Sequence, residues 1–549
     1  MDDRGNIQNG EIQIPREHGE LLVHPAFDEL GVLLRDNIRR QQAAESLTLA
    51  GHDWQRHARQ ARHQLVDLAR QYSQRYRPDG SLPVIEDSAP IILSGHQPNL
   101  IHPGVWFKNF LISRLARDEN AIPINLLIDN DTAESGSIQV PSGDSRSPQL
   151  ASIPYAAWDK PLPYEQWSVV DRQQFSSFAE RVTSAGGDWL DQPFLHDFWE
   201  HVVEGLQETD NIGQLLARGR HRLEADLGLR TLELPFSATC RFPAFYLFSA
   251  MLIEEAGRFR DIYNETLLEY RRAHRIRSRS HPFPELDTDD SWQEIPFWVW
   301  TREDPQRRRA FARVSPGEVI IGDREQVQFS LPALPAREEQ DVVTAMTRAE
   351  QEGIRFRPRA LVTTMFSRLM LGDIFVHGVG GARYDQLTDI VIERFLGVQP
   401  PGYVVASATF QLPLSLPPVT SDQVNQARQQ LRDSEHSPDA YLATLLEEKQ
   451  VPDAGEIELI RALIDDKQRH VRQQVDPEDR PAWHKQLQQI HQQLALHAAP
   501  YSSTLRDRVT HLQEQLDQNE NFRARDFSFC LFSRETLFPQ LLEFVIKAP

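Results

Sequence analysis

Cysteine is almost absent from this chain. Only Cys240 and Cys530 occur among 549 residues. They lie far apart and form neither a CxxC motif nor a zinc-type cluster, so a disulfide framework is not expected. We interpret both as buried, small hydrophobic side chains, and a catalytic thiol is the alternative.

Long apolar runs are also absent. None reaches the roughly 18 residues that suggest a membrane-spanning helix, so we expect no membrane partner. The first 20 residues lack a basic segment followed by an apolar one. This predicts that the chain has no secretory signal and is cytoplasmic.

Positive charge is in deficit. The chain has 59 Lys and Arg against 79 Asp and Glu, a net charge of −20. Such a charge repels nucleic acid and anionic membranes, so no nucleic-acid partner is expected. Apolar residues at 40% and charged residues at 25% are ordinary for a folded chain, and the length predicts two or three structural units.

Short apolar runs alternate with helical patterns over the middle of the chain. We predict strands in PIILSG, AIPINLLIDND, TLELPFS and DIFVHG, and a helix in GVWFKNFLISRLARDE between the first two. Strand, helix and strand at this spacing form a βαβ unit, whose strands are parallel. The pattern therefore predicts an α/β core with a parallel sheet.

The rest of the chain differs in texture from this core. We expect an N-terminal helical segment over residues 1–85 and the α/β core over 86–420, with a β-rich insertion near 280–335. A helical, coiled-coil-like domain follows over 421–521, and residues 522–549 return to the core.

Two apolar repeats support the helical domain. Trp483, Leu487, Ile490 and Leu494 recur at steps of four, three and four, and a second such seam begins after Pro500. We expect antiparallel helices that pack on each other or form a subunit interface. An all-helical cap folded onto the core is the alternative.

The first predicted βα loop, SGHQPNLIHPG, is dense in side-chain chemistry. Its candidate ligand-binding residues are Gly95, His96, Gln97, Asn99, His102 and Gly104. The loop precedes a helix whose free N–H groups favour an anion, although its spacing is not the dinucleotide fingerprint GxGxxG. HPGV weakly resembles the HxGH element of class I nucleotidyl-transferase folds, with Val105 at the last histidine. A capped turn with satisfied histidines is the alternative.

Acidic residues end the second predicted strand. In LLIDNDT, Asp129 and Asp131 are suited to bind a ribose, an amine or Mg²⁺, or to act as a general base. A turn that caps a helix requires the same residue types, which is the competing interpretation.

Arginines alternate in the stretch RFRPR. An extended strand would place Arg355, Arg357 and Arg359 on one face, where they would suit a phosphate or carboxylate. A solvated face balanced by acidic neighbours is the alternative.

A glycine-rich stretch, HGVGGARYD, follows the fourth predicted strand. We expect a flexible loop in which backbone amides bind an anion. Its candidate residues are His377, Gly378, Gly380, Gly381, Arg383, Tyr384 and Asp385. A structural glycine turn is the alternative.

These motifs, in this order, resemble the cysteine-adding enzyme family of bacillithiol biosynthesis. SGHQPNLIHPG with FKNFLISRLA is similar to that family's TGQQP-type loop and helix, LLIDNDT to its acidic motif, and RPRALVTTMFSRLMLGDIFVHGVGGARYD to its Arg-rich strand and glycine loop. The resemblance spans about residues 85–549. It implies a Rossmann-like core with inserted segments and a coiled coil that mediates dimerisation.

The motifs also depart from that family. His96 and Asn99 replace a glutamine and a glycine, the acidic motif reads Asp-Asn-Asp, and the glycine loop has Ala-Arg where a glutamate is expected. We therefore expect a related ligation on another acceptor as readily as bacillithiol assembly. The opening also resembles the QPNYLPWLGY start of a family linked to surface-polysaccharide gene clusters.

The resemblance and the loop chemistry together imply a ligase-like homodimer that binds ATP or ADP and joins an amine or amino acid to a small acidic or sugar-linked acceptor. We assign His96 and His102 to phosphate or transition-state stabilisation, and Asp129 and Asp131 to an amine or metal. The three strand arginines would bind an anionic substrate, and residues 377–385 would close the site. A non-catalytic dimeric scaffold and a surface-polysaccharide-related binder are the alternatives.

Overall fold

The fold is described from a computed structural model. It describes residues 13–43, 47–49, 51–77, 86, 88–144, 147–278, 280, 283–289, 291–332, 338–416 and 419–546. The chain divides into two compact units, a larger one of residues 1–141, 150–412 and 525–549 and a smaller one of residues 142–149 and 413–524. Within the described ranges, every helix is too short or too polar to cross a membrane.

Fifteen strands are present in the described residues. They are β1 (Leu21–His24), β2 (Thr48–Leu49), β3 (His52–Asp53), β4 (Ile91–His96), β5 (Ile122–Leu127), β6 (Ser137–Asp144), β7 (Ser147–Pro154), β8 (Leu232–Pro235), β9 (Gln293–Thr301), β10 (Arg308–Ser315), β11 (Glu318–Gly322), β12 (Gln328–Pro332), β13 (Ile354–Pro358), β14 (Ile374–His377) and β15 (Val404–Ala408).

Eighteen α-helices occur in the same ranges. They are α1 (Leu30–Ala43), α2 (Trp54–Gln74), α3 (Pro103–Asp118), α4 (Arg172–Ser176), α5 (Phe178–Gly186), α6 (Leu195–Glu204), α7 (Ile212–Asp226), α8 (Phe236–Thr239), α9 (Pro243–Glu254), α10 (Ala256–Ala273), α11 (Glu339–Gln351), α12 (Ala360–Phe366), α13 (Val379–Leu396), α14 (Ser421–His436), α15 (Pro438–Glu447), α16 (Ala454–Val471), α17 (Arg480–Phe522) and α18 (Arg534–Ile546).

The larger unit is built on a six-stranded sheet with the order β1-β15-β14-β4-β5-β8. Its pairings are parallel except at the edge strand β1, which pairs with β15 in the antiparallel sense. Every residue of β5 and β15 is buried, as expected for parallel strands covered on both faces. The prediction of an α/β fold with a mostly parallel sheet is confirmed.

The strand order reverses beside β4. Strands β5 and β8 extend the sheet on one side of β4, and β14 and β15 extend it on the other. In doubly wound sheets, a reversal of this kind marks a ligand-binding crevice at the carboxyl ends of the two strands where it occurs, here β4 and β14. His96 is the last residue of β4, and His377 is the last of β14.

Two strands of this sheet were not predicted. β1 lies in the segment that we expected to be helical, and its residue His24 pairs with Val405 of β15. The sequence of β15, VVASA, has two β-branched valines but three small residues and no aromatic one, so its strand signal is weak.

Helix α3 lies inside the larger unit. Thirteen of its 16 residues are buried. It contacts the sheet through β4, β5, β14 and β15, and its other side packs on α18, with the rings of Phe107 and Phe544 4.9 Å apart. The ring of Trp106 lies 4.8 Å from that of Phe529, which also belongs to the chain's C-terminal segment. A helix enclosed in this way has little polar surface to solvate, which explains its apolar sequence.

A second, antiparallel sheet has the order β12-β11-β10-β9-β13. Its strands span residues 293–358 and so begin within and extend past the predicted β-rich insertion at 280–335. Strand β13 contains the RFRPR stretch and pairs with β9, which places Arg355 opposite Trp300 and Arg357 opposite Trp298. The arginines therefore lie in this sheet and not in the parallel one.

The smaller unit contains α14 to α17, so the predicted helical segment at 421–521 lies within it. Its core joins Ile460 and Ile464 of α16 to Ile490 and Leu494 of α17. We expected Pro500 to separate two helices, but α17 is one continuous helix of 43 residues that includes Pro500. Proline removes one backbone hydrogen bond, and here it lies on the exposed face, where water can solvate the freed carbonyl.

Candidate functional site

The β4–α3 loop begins at His96 and ends where His102 caps α3. The backbone N–H of Gly104 donates to Nδ1 of His102 over 3.1 Å, and Pro103 occupies the first turn, where a missing N–H is tolerated. A Cβ at Gly104 would lie 2.1 Å from the carbonyl oxygen of Ala408. Only glycine therefore lets α3 begin so close to β15.

Hydrogen bonds hold the two histidines of this loop in opposite tautomers. Nδ1 of His96 lies 3.0 Å from the carbonyl oxygen of Gln97, which can only accept, so Nδ1 carries the proton and Nε2 the lone pair. Nδ1 of His102 instead accepts from Gly104, so in this ring Nε2 carries the proton. The loop therefore presents one acceptor and one donor.

Both rings are held in the neutral form. Burial lowers the pKa of His96 well below its usual value, and the charges of Arg220 and Lys108 lower it further. Burial and then Arg525 lower the pKa of His102 to about 4. His96 is 7% exposed, and its Nε2 atom has no hydrogen-bond partner among the described residues.

The loops after β4 and β5 are joined directly. Nε2 of Gln97 donates to Oδ2 of Asp131 over 2.6 Å, and Arg307 donates to Oδ1 of the same carboxylate over 2.9 Å. Asp131 therefore lies at the rim of the predicted site, with 38% of its side chain exposed. Asn99 lies in the same loop; burial raises the pKa of Tyr164, and a side-chain hydrogen bond with Asn99 acts in the opposite direction.

Asp129 lies deeper than Asp131. Its two oxygens accept from the backbone N–H and the hydroxyl of Ser237 at 2.8 and 2.5 Å. Burial and then the nearby charge of Glu165 raise its pKa to about 7, although the bonds from Ser237 act in the opposite direction. This carboxyl group can therefore exchange a proton near neutral pH.

The three strand arginines each lie beside carboxylates of the chain. Arg357 is fully buried and donates to both oxygens of Glu165 at 2.9 Å and to both oxygens of Glu350 at 3.0 Å. Arg359 contacts Glu294 at 2.6 Å, and Arg355 lies 3.4 Å from Glu350. An added anion would have to compete with these carboxylates. The structure contains an ion network, and a ligand clamp, in which the three arginines bind an anionic substrate, stays a prediction.

The prediction of a flexible glycine loop is wrong, because most of this stretch is helical. Gly378 caps α13, and residues 379–385, which include Gly380, Gly381, Arg383, Tyr384 and Asp385, form its first turns. Nε2 of His377 lies 2.6 Å from Oδ2 of Asp385, which also accepts from Arg368 over 3.0 Å. This buried network outweighs the low helix propensity of two adjacent glycines.

The same network fixes the imidazole of His377. Burial would raise the pKa of Asp385, but the charges of His377 and Arg368 together hold it below its usual value. A Cβ at Gly381 would lie 3.0 Å from Nδ1 of His377, so the glycine leaves room for the ring. Arg383 is exposed, and the ring of Tyr384 lies 4.9 Å from that of Phe283.

Lys108 is a site residue that the motifs did not identify. It lies on α3 and is 3% exposed, and its Nζ donates to the carbonyl oxygen of Gly95 over 2.6 Å. Burial and then the charge of Arg220 lower its pKa to about 7. A lysine inside the apolar run VWFKNF is the sequence signal that would have revealed it.

His221, Glu224 and Glu233 have the donor types of a metal site. They are fully buried, and their donor atoms lie within 4.8 Å of one another. Arg220 already contacts the two carboxylates at 2.9 and 2.6 Å, and Trp106 donates to Glu224 over 2.7 Å. We interpret the group as a charge-balanced network that joins α7, α3 and β8.

A cavity of about 210 Å³ lies at the opposite edge of the sheet. Trp54, Arg62 and Asp373 contribute to its lining, and none of the predicted site residues does. No protein-family model matches the chain, and no curated protein matches it. The assignment of a function therefore rests on the site itself.

Proposed function

We propose that the chain is a ligase-like enzyme whose Rossmann-like core binds ATP or ADP in the crevice between β4 and β14. The strand order carries this proposal. Numbered along the chain, the five parallel strands have the order 3-2-1-4-5, which is that of nucleotide-binding doubly wound sheets. Such sheets bind ligands where the order reverses, and His96 and His377 lie at that point.

The side chains at the crevice support a nucleotide ligand. The N–H of His102 suits a phosphate oxygen, and the lone pair of His96 suits a ribose hydroxyl or an incoming amine. Helices α3 and α13 both begin at this edge, and the positive ends of their dipoles favour an anion.

The second substrate is an amine or amino acid, which is joined to a small acidic or sugar-linked acceptor. Asp131 supports this part of the proposal because 38% of its side chain is exposed, and an arriving ammonium group would share its carboxylate with Gln97 and Arg307. Asp129 is buried and held by Ser237, so it acts behind Asp131 and not as a direct ligand. The resemblance to the cysteine-adding family favours ligation over other reactions of the same fold.

The helices of the smaller unit form a coiled-coil-like interface between two copies of the chain in this proposal. Leu459 of α16 and Leu496 of α17 support it, since 50% and 74% of their surfaces are exposed. Large apolar side chains left exposed in this way are available to a second copy.

Calorimetry with ATP, ADP, AMP and a sugar nucleotide tests the proposal. We expect His102→Ala to weaken nucleotide binding roughly tenfold through loss of one charge-assisted hydrogen bond. His63→Ala is the matched control, because His63 is exposed on α2. Failure of the wild-type protein to bind any nucleotide at millimolar concentration would refute the proposal. Tighter binding of the sugar nucleotide would favour the surface-polysaccharide alternative.

A further inference from the structure

Lys108 is placed where β4 meets the crevice. It lies in the second turn of α3, and its side chain reaches back to the peptide that joins Gly95 to His96. The bond from Nζ to the Gly95 carbonyl, at 2.6 Å, is its one hydrogen bond among the described residues. The amine is thus held near the imidazole of His96, whose Nε2 atom has no hydrogen-bond partner among the described residues.

The ammonium group has no counter-ion in the described part of the chain, where no carboxylate lies within 4.0 Å of it. Other buried cations are different. Arg220 contacts two glutamates, Arg357 contacts two glutamates and Arg368 contacts two aspartates, all at 3.0 Å or less. Removing a charge from water is expensive unless an opposite charge compensates it.

The charged groups around Lys108 are mostly positive or neutral. Arg220 on α7 lowers its pKa, and the charge of Lys108 acts in turn on His96 and His102. Glu224 faces His96, but it is paired with Arg220, and Arg525 and Asp526 face His102 together. Helix α18 presents the aromatic rings of Phe538 and Phe544 to α3, and β15 presents the backbone carbonyl of Ala408.

We propose that Lys108 is the anion-binding cation of the crevice and that its counter-ion is a phosphate or carboxylate group of the ligand. This inference rests on the crevice of the proposed function and adds the residue and the charged group that meet there. Because burial leaves the amine partly neutral at pH 7 to 8, an arriving anion brings a proton with it. Affinity therefore falls about tenfold for each pH unit above the pKa of the free protein.

Sulfate and succinate are the probes, since neither changes its charge between pH 7 and 9. Isothermal titration of the full chain in two buffers of different ionisation enthalpy measures the protons taken up. We expect about one proton per bound anion at pH 8 and weaker binding at pH 9. Sulfate binding identifies a phosphate-type site, and preference for succinate identifies a carboxylate-type site.

Two substitutions locate the effect. Lys108→Met is expected to weaken anion binding roughly 10- to 100-fold. Lys108→Arg keeps a permanent charge, so it is expected to bind without proton uptake and without the loss at pH 9. Lys467→Met is the matched control, because Lys467 has its own carboxylate partner, Asp439, at 2.6 Å.

The wild-type measurements test the proposal even if Lys108→Met does not fold. Absence of anion binding, or binding without proton uptake, overturns it, as does a folded Lys108→Met variant with unchanged affinity. The two proposals fail separately. If sulfate binds with proton uptake but no nucleotide binds, the role of Lys108 stands and the nucleotide proposal fails. If nucleotide binds equally to wild type and to Lys108→Met, the nucleotide proposal stands and the role of Lys108 fails.

Discussion

Replacing Arg357 by methionine distinguishes an ion network from a ligand clamp. The substitution keeps an unbranched apolar stem but removes four hydrogen bonds of 2.9 to 3.0 Å to Glu165 and Glu350. Both carboxylates would then be left without their buried partner. Breaking a buried pair in this way destabilises a protein by about 3–5 kcal/mol. We expect Arg357→Met to lower the unfolding temperature of the larger unit strongly.

The size of this effect should depend on pH. Burial raises the pKa of Glu350, but Arg357, together with Arg355 and Arg241, more than offsets it, so the pKa lies below the usual 4.5. A lowered carboxyl pKa contributes stability that is present above the unfolded value and lost as pH falls through the folded value. Arg357→Met removes the largest part of this contribution, so the difference from wild type should be full at pH 7 and shrink as the pH falls below 4.5.

Differential scanning fluorimetry across that pH range measures the effect, and Arg355→Met is its control. Arg355 has a single, longer carboxylate contact of 3.4 Å, for which about 1 kcal/mol or less is expected. An Arg357→Met protein that unfolds at the wild-type temperature but no longer binds an anionic ligand would refute the reasoning. Arg357 would then belong to the predicted clamp.

Three further predictions concern the carboxyl edge of the sheet and the smaller unit. Because the pKa of Asp129 is raised by burial from 3.8 to about 7, its ionisation opposes folding and stability is lost as pH rises through this interval; calorimetry from about pH 4 to 8 should show a flatter pH dependence for Asp129→Asn, and equal slopes would contradict this. Gly104→Ala should destabilise by about 1–3 kcal/mol because its Cβ would overlap a carbonyl of β15, whereas Gly380→Ala meets open space and should be neutral or slightly stabilising; equal melting temperatures of the two would count against it. Light scattering should find twice 63.1 kDa for the wild type and 63.1 kDa after Leu459→Glu with Leu496→Glu, and a monomeric wild type would exclude the dimer.

The core strands were predictable because burial on both faces demands continuous apolar runs. PIILSG and AIPINLLIDND have this texture, and they form β4 and β5. Strand β15 has a weaker signal, since three of its five residues are the small alanine and serine, which are not enriched in strands. Strand β1 is an edge strand of only four residues, and none of them is buried. It therefore does not require the continuous apolar run that identifies a core strand.

One contact of the candidate site was predictable from the sequence, but the ion pairs of its arginines were not. Gln97 and Asp131 follow adjacent parallel strands, so their proximity follows from the βαβ unit. The partner of Arg357 does not, because Glu165 lies 192 positions away and no periodicity joins them. The glycines of HGVGGARYD indicated a loop because local propensity omits the buried contact between His377 and Asp385.

The position of β14 next to β4 also determines how early β4 can complete its pairing while the chain is being synthesised. The backbone N–H of Ile91 donates to the carboxylate of Asp373, which lies 282 positions later in the chain. At a synthesis rate of about 5–20 residues per second, β4 leaves the ribosome roughly 15–60 s before the residues that complete its neighbour. During that interval one edge of β4 can pair with other chains. We therefore expect a nascent chain that stops before Asp373 to depend on chaperones for its solubility.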